Sequence, residues 1–421
     1  MLHKHYIEKV NKIPLILIPF ESNNTSIGIT FKCGYFEEDN KVKGITHFLE
    51  HLIGSNIREC KLMKKLQKKG KFLNCNAYTG KFNTTYYITT QPNFFLDALD
   101  LLIDNVFNFE INLDTYNRER NSIIFEMIKK RNSPNDKSYL ETLKSFYINK
   151  SLIRDPSVHI NNISNLTPLV INKFYNKYYK SNFVILVSGK FVKNIVLDRL
   201  KEKKIINNSI VSINRNIVLR NNKSYKYSFI YDKNSSLVKL IYNFRIFNSE
   251  SNKKYYVKMI STILDNIGSE SILFKNFRIK LGITYSPHSK IEVNKYFGIM
   301  SINISTIKKN LEIVKSEINQ ILYSLKNILL SKYLIDLGIS KMKYDILNLK
   351  NNLDSKNYIK YGDKFINKMK IENPLEVYNV YKKITPKNLL DISNEIFNLN
   401  NLHIVCIYKY TIPDIFKTLK F

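Results

Sequence analysis

The chain has 421 residues, 44% of them hydrophobic and 13% aromatic, which suits two domains of about 200 residues with sizeable cores. That balance excludes an intrinsically disordered, collagen-like or disulfide-scaffold protein. Sixty-six Lys plus Arg against 35 Asp plus Glu give a net charge of +31, which by itself points to nucleic acid or an anionic surface.

In chain order, residues 13–18 and 26–32 read as strands. Helical periodicity follows over 43–53, 58–69 (stopped by Gly70), 96–107 and 113–130. Thr167-Pro168 is a sound helix start, and its helix leads into the apolar strand 182–189. The polar, Asn-rich stretch 203–223 reads as a join. Strands return at 225–231 and 237–244, and helices at 255–266, 270–280 (stopped by Gly282) and 307–325. Thr385-Pro386 and the strand 401–408 then repeat the earlier pair at offsets of 218 and 219 residues, about half the chain. The repeat reads as a duplication. Long helices in runs, with strands clustered elsewhere, predict an α+β fold rather than a doubly wound sheet. The expected domains are 1–205 and 224–421, linked by 206–223.

The charge has a plainer source than a binding face. Only two alanines (Ala77 and Ala98) and no tryptophan occur, among abundant Asn, Lys, Ile and Tyr. Those residues are the ones that AT-rich codons favour, as in an AT-rich bacterial genome. The lysines are scattered, the densest run being 61–71, so no nucleic-acid partner is expected. Four cysteines (Cys33, Cys60, Cys75 and Cys406) form no C-x-x-C. This argues against a zinc ribbon or redox dithiol and for a reducing compartment. No signal-peptide core and no apolar run long enough for a membrane helix is visible, so a soluble, cytoplasmic protein without membrane contact is expected.

The sharpest local feature is Gly44-Ile45-Thr46-His47-Phe48-Leu49-Glu50-His51. On a helix, His47 and His51 stand one turn apart on one face, where two neutral imidazoles reach a single zinc ion. Glu50 flanks that face, able to touch a water without being a ligand. Catalytic zinc needs three protein ligands and an open fourth position. The helix around 117–126 offers carboxylates for the third, with Glu119 and Glu126 two turns apart and facing the same way. His3, His5, His159, His288 and His403 read as surface or core histidines without partners.

With H-x-x-E-H in place, nearly the whole chain resembles the M16 (pitrilysin/insulinase-type, inverzincin) metallopeptidases of the half-length kind, similar to bacterial M16B peptidases and mitochondrial processing peptidase. The resemblance implies two homologous domains, each a mostly antiparallel sheet packed with long helices. It implies one zinc per chain on His47, His51 and Glu126, which lies 75 residues past His51, with Glu119 steadying the ligands from behind. Glu50 becomes the general base for hydrolysis of short or unfolded peptides. Lys71 to Thr79 matches the family's substrate-pairing edge strand, through Asn76, Ala77 and Tyr78. Residues 268–274 and 278–286 match the second family signature, whose Arg and Tyr are Arg278 and Tyr285. These would hold a substrate carbonyl or carboxylate and donate to the developing oxyanion. Read without the family, Arg278 merely solvates a helix end and Tyr285 merely packs.

Two stretches depart from the family pattern: Leu52-Ile53-Gly54-Ser55-Asn56 after the second histidine, and Ser157-Val158-His159-Ile160-Asn161 after the Glu126 helix. Half-length members pair two chains, and since both signatures lie here, a homodimer is the simplest expectation, a heterodimer with a sister chain the other. A catalytically weak or inactive subunit acting as a scaffold is the competing function.

Overall fold

The structure is a computed structural model and describes residues 5–153, 155–203, 205, 213–348 and 355–409. It is α+β, with two sheets and many helices. The strands of the first sheet are β1 (Tyr6–Val10), β2 (Ile13–Pro19), β3 (Thr25–Phe31), β4 (Leu73–Thr79), β5 (Thr84–Thr90) and β6 (Phe183–Gly189), in the spatial order β1-β2-β6-β3-β5-β4. Only β2 and β6 run parallel; every other neighbouring pair is antiparallel.

The helices of the first half are α1 (Ile45–Glu59), α2 (Lys61–Lys68), α3 (Phe95–Phe107), α4 (Leu113–Asn132), α5 (Pro134–Phe146), α6 (Pro156–Asn162), α7 (Pro168–Tyr178) and α8 (Lys193–Glu202). Side chains alternate across a strand, and β2 shows why its run is apolar throughout. Leu15 and Leu17 enter the main core with α1 and α3, whereas Ile16 and Ile18 face the other way. There they meet Val184, Leu186 and Ile366, the last belonging to a helix from the far end of the chain.

The second sheet holds β7 (Lys226–Tyr231), β8 (Val238–Ile246), β9 (His288–Val293), β10 (Gly298–Thr306) and β11 (Leu402–Tyr408), ordered β7-β11-β8-β10-β9. Its helices are α9 (Lys254–Asp265), α10 (Leu311–Asn327), α11 (Lys332–Asn348), α12 (Ser355–Ile366), α13 (Pro374–Lys382) and α14 (Pro386–Ile396), of which α12 packs on the first sheet. Strand for strand, this order repeats β2-β6-β3-β5-β4, including its single parallel pair, β7 with β11. The two Thr-Pro signals mark equivalent points. Thr167 and Thr385 cap α7 and α14, accepting from the amides of Val170 and Asn388, and β6 and β11 follow.

The compact units depart from a single cut between 205 and 224. One comprises residues 1–131, 154–215 and 350–371; the other comprises 132–153, 216–349 and 372–421. Each half of the chain thus surrenders one helix, α5 or α12, to the opposite unit. The cause is the two-sided apolar strand: Val405 and Ile407 of β11, like Ile16 and Ile18 of β2, need a cover on the face away from the main core. Within the expected join, 206–212 lie outside the described residues; 213–215 go with the first unit and 216–223 with the second.

Local readings differ at three places. The helix expected to stop at residue 53 continues to Glu59, because Leu52, Ile53 and Ile57 keep it in the core. The chain then breaks at Cys60 and restarts as α2, with the Cys60 sulfur accepting from the amide of Met63. The helix expected over 270–280 is a short 3-10 turn, Gly268–Glu270, followed by π-helical winding over Phe274–Lys280. Among the described residues, no helix is long and apolar enough to cross a membrane.

Candidate metal centre

Helix α1 begins with a buried carboxylate. Glu38 accepts from the amides of Gly44 (2.9 Å) and Thr46 (3.0 Å), and from the Thr46 hydroxyl. It satisfies donors that a helix start leaves orphaned and complements the positive end of the helix dipole. Gly44 adopts φ +104°, and a side chain there would overlap the ring of His159. The first turn of α1 is therefore fixed in position before it reaches His47.

His47 is buried, and His51 is partly so. Glu126 approaches both from α4: its Oε2 lies 3.3 Å from His47 Nε2 and 3.4 Å from His51 Nε2. Among the described residues, His47, His51 and Glu126 form the one set of three or more His, Cys, Asp or Glu side chains grouped closely enough to hold a metal ion. Tetrahedral zinc with bonds of about 2.0–2.2 Å separates neighbouring ligand atoms by about 3.3–3.6 Å, so the two Glu126–histidine distances fit that ion in spacing, and all three donors fit it in kind.

A supporting layer stands behind them. His51 Nδ1 donates to Glu119 Oε2 at 2.9 Å, which turns Nε2 toward Glu126. Glu119 is itself buried, and its Oε1 accepts from Ser55 Oγ at 2.6 Å. Arg58 Nη2 donates to the same Ser55 oxygen at 3.0 Å. On the outer side, Lys130 Nζ holds Glu126 Oε1 at 2.5 Å.

The protonation states follow from these contacts. Hydrogen bonds from His47 and then His51 hold the Glu126 carboxyl well below the usual carboxylate range, outweighing its burial. Burial raises Glu119, but the bonds from Ser55 and His51 bring it below its ordinary value. Burial pulls His51 down, yet its bonds to Glu126 and Glu119 and the nearby Glu50 charge raise it overall. Glu50 is half-buried on the same helix.

The other singled-out residues fall elsewhere. Asn76, Ala77 and Tyr78 lie on β4, the strand at the end of the first sheet, with Asn76 and Tyr78 exposed and Ala77 packed against the core. Arg278 and Tyr285 meet within the second unit. Arg278 Nη1 donates to the Tyr285 carbonyl at 3.0 Å, and its guanidinium lies 4.3 Å from the Tyr285 ring centre. The Tyr285 side chain is largely exposed, at 79%.

Sequence reasoning overlooked several neighbours of the cluster. His159 packs edge-on against His47, ring centres 5.5 Å apart. Ser55 sits in the stretch read as a departure from the pattern. A signal for it was present, since 47, 51 and 55 share one helical face. Lys130 has the same signal, four residues past Glu126. Glu38 and His159 had none, because only the tertiary fold brings them to α1. His403, read as lacking partners, bonds Ser228 Oγ (3.0 Å) and Thr142 Oγ1 (3.2 Å) in the second unit.

Comparison with known proteins bears on the family and the fold. Residues 20–154 match the family described as Insulinase (Peptidase family M16), and residues 165–342 match the Peptidase M16 inactive domain. An uncharacterized zinc protease of Rickettsia bellii is 24% identical over 385 residues, covering 89% of this chain and 90% of that one. The beta subunit of the mitochondrial-processing peptidase of Dictyostelium discoideum is 23% identical over 181 residues, 42% of this chain and 39% of that one. In fold, the crystal structure of a protease from Helicobacter pylori superimposes with a TM-score of 0.83 at 18% identity, over 97% of this chain and 100% of that one. With two consecutive M16 matches along its length and the fold to go with them, the chain belongs to the M16 family of peptidases.

Proposed function

We propose that the protein is a zinc-dependent endopeptidase that hydrolyses short or unfolded peptides, with one ion per chain on His47, His51 and Glu126. The observation that carries this reading is the position of one Glu126 oxygen, 3.3 and 3.4 Å from two imidazole nitrogens. A bound zinc ion would polarise the scissile carbonyl and acidify a water molecule. Glu50 takes the proton from the attacking water and delivers it to the leaving nitrogen. Glu119 and Ser55 hold His51 in the tautomer that leaves Nε2 free to ligate. The exposed edge of β4 pairs with substrate backbone, a mode that suits extended chains and reads little sequence. Arg278 binds a substrate carbonyl or carboxylate, and Tyr285 donates to the developing oxyanion.

A homodimer is part of this reading, since the chain carries both signatures; a heterodimer with a sister M16 chain is the alternative. So is a cytoplasmic site, because the four cysteines are free thiols, two of them buried.

The test is cleavage of a quenched, unfolded peptide by the purified protein beside Glu50→Gln. The variant should bind zinc normally and cleave about 10²–10⁴-fold more slowly. Equal cleavage by both proteins would remove Glu50 from the mechanism. No cleavage by either, with zinc bound, favours the second reading, an M16 subunit that serves as a scaffold for a partner.

A further inference from the structure

The lysines of this chain read as compositional drift, but one of them touches the ligand cluster. Lys130 lies one turn past Glu126 on α4, and its ammonium sits 2.5 Å from Glu126 Oε1. The other oxygen, Oε2, faces His47 Nε2 at 3.3 Å and His51 Nε2 at 3.4 Å. The two oxygens of one carboxylate are thus divided between a fixed cation and the ligand cluster. The pair is partly exposed, 38% for Lys130 and 34% for Glu126, so it contributes little to folding. Its neighbour Lys129 is exposed on the same helix and has no such contact among the ion pairs of the cluster.

We infer that Lys130 is a positioning residue that limits Glu126 to one-oxygen metal ligation and thereby keeps a coordination position open for water. The inference rests on the metallopeptidase reading above. Its physical content is twofold. A carboxylate free at both oxygens can chelate an ion and fill the position that catalytic zinc keeps open. A cation beside the ligand also weakens the attraction between that carboxylate and a divalent ion. Removing Lys130 should therefore bind metal more tightly and turn over more slowly, whereas damage to the site would loosen the metal.

The experiment uses the full chain loaded with cobalt(II), whose visible absorption weakens as its coordination number rises, together with zinc competition against a chelator. Wild type should show strong four-coordinate absorption. Lys130→Met should show a weaker band, zinc held several-fold more tightly, and cleavage reduced about tenfold. Lys130→Arg should restore the wild-type spectrum, and Lys129→Met should leave it unchanged. Lys130→Gln tests the same expectation should the Met variant fold poorly. An unaltered spectrum and affinity in Lys130→Met, or weaker zinc binding, overturns the inference while leaving the metallopeptidase reading intact. Failure of wild type to bind either metal overturns both.

Discussion

The first and second units share a strand order and diverge at the helix that follows their third and second strands, α1 after β3 and α9 after β8. In the second unit that helix is filled with Val257, Met259, Ile260, Ile263 and Leu264. It packs tightly on α11, where Gly338 is so close that an added Cβ would meet Met259 Sδ at 2.5 Å. In the first unit, α1 and α4 share an apolar contact, Phe48 stacked on Tyr116, and add polar ones: His51 on Glu119, Ser55 on Glu119, and both histidines on Glu126. One topology therefore yields an apolar helix contact in one copy and, in the other, a charged cluster of metal-ligand spacing set beside apolar packing. What separates them is the chemistry at a few positions of two helices.

Replacing a proposed ligand is the most severe way to break the contrast. His47→Ala or Glu126→Gln should take zinc content after dialysis from one per chain to none measurable by elemental analysis. The far-ultraviolet dichroism should stay near wild type, because the apolar cores of both units are untouched.

Two histidines, one buried and one partly buried, sharpen the comparison through pH, since they shift in opposite directions. Burial pushes His403 of the second unit down to about 4. Its unfolded value is about 6.5, so its contribution is complete above that pH and lost as pH falls toward 4, about 3 kcal/mol in all. His403→Gln, which keeps hydrogen-bonding groups for Ser228 and Thr142, should flatten that part of the acid dependence in denaturant melts. His51 of the first unit is raised. In metal-free protein its contribution is full below about 6.5 and fades as pH climbs through its raised value. Metal-free protein carrying His51→Gln should lose that fading.

A smaller effect is expected behind the ligands. Glu119→Gln should weaken zinc binding about 10–100-fold in chelator competition, because His51 loses the anion that orients its ring. Ser55→Ala should be the mildest, about 1 kcal/mol in stability and a few-fold in zinc affinity, since Glu119 keeps its bond to His51.

The legible parts were those written in local periodicity. His47 and His51 share a helical face by spacing alone, and Glu119 and Glu126 stand two turns apart on another helix. The Thr-Pro caps announced the duplication, and both occupy the cap positions expected. Less legible was the 270–280 segment, where helical spacing suggested an ordinary helix and the chain winds as a π-helix. Extra residues per turn leave little trace in an apolar pattern that short. Reading 52–56 as a departure from the family pattern also hid Ser55, although helix α1 runs straight through it.

Composition and pattern alone determined the α+β class, the duplicated plan and the two pairs of side chains that share helical faces. These depend on periodicity and capping, which act within a few residues and so are written in consecutive letters. Tertiary structure alone decided that α5 and α12 change units, that His159 and Glu38 fix the start of α1, and that Glu126 comes within 3.3–3.4 Å of both histidines. Apart from Glu38, which lies six residues ahead of Gly44, these join residues tens to hundreds of positions apart, and such contacts follow from which apolar faces must be covered, a property of the packed chain rather than of any segment.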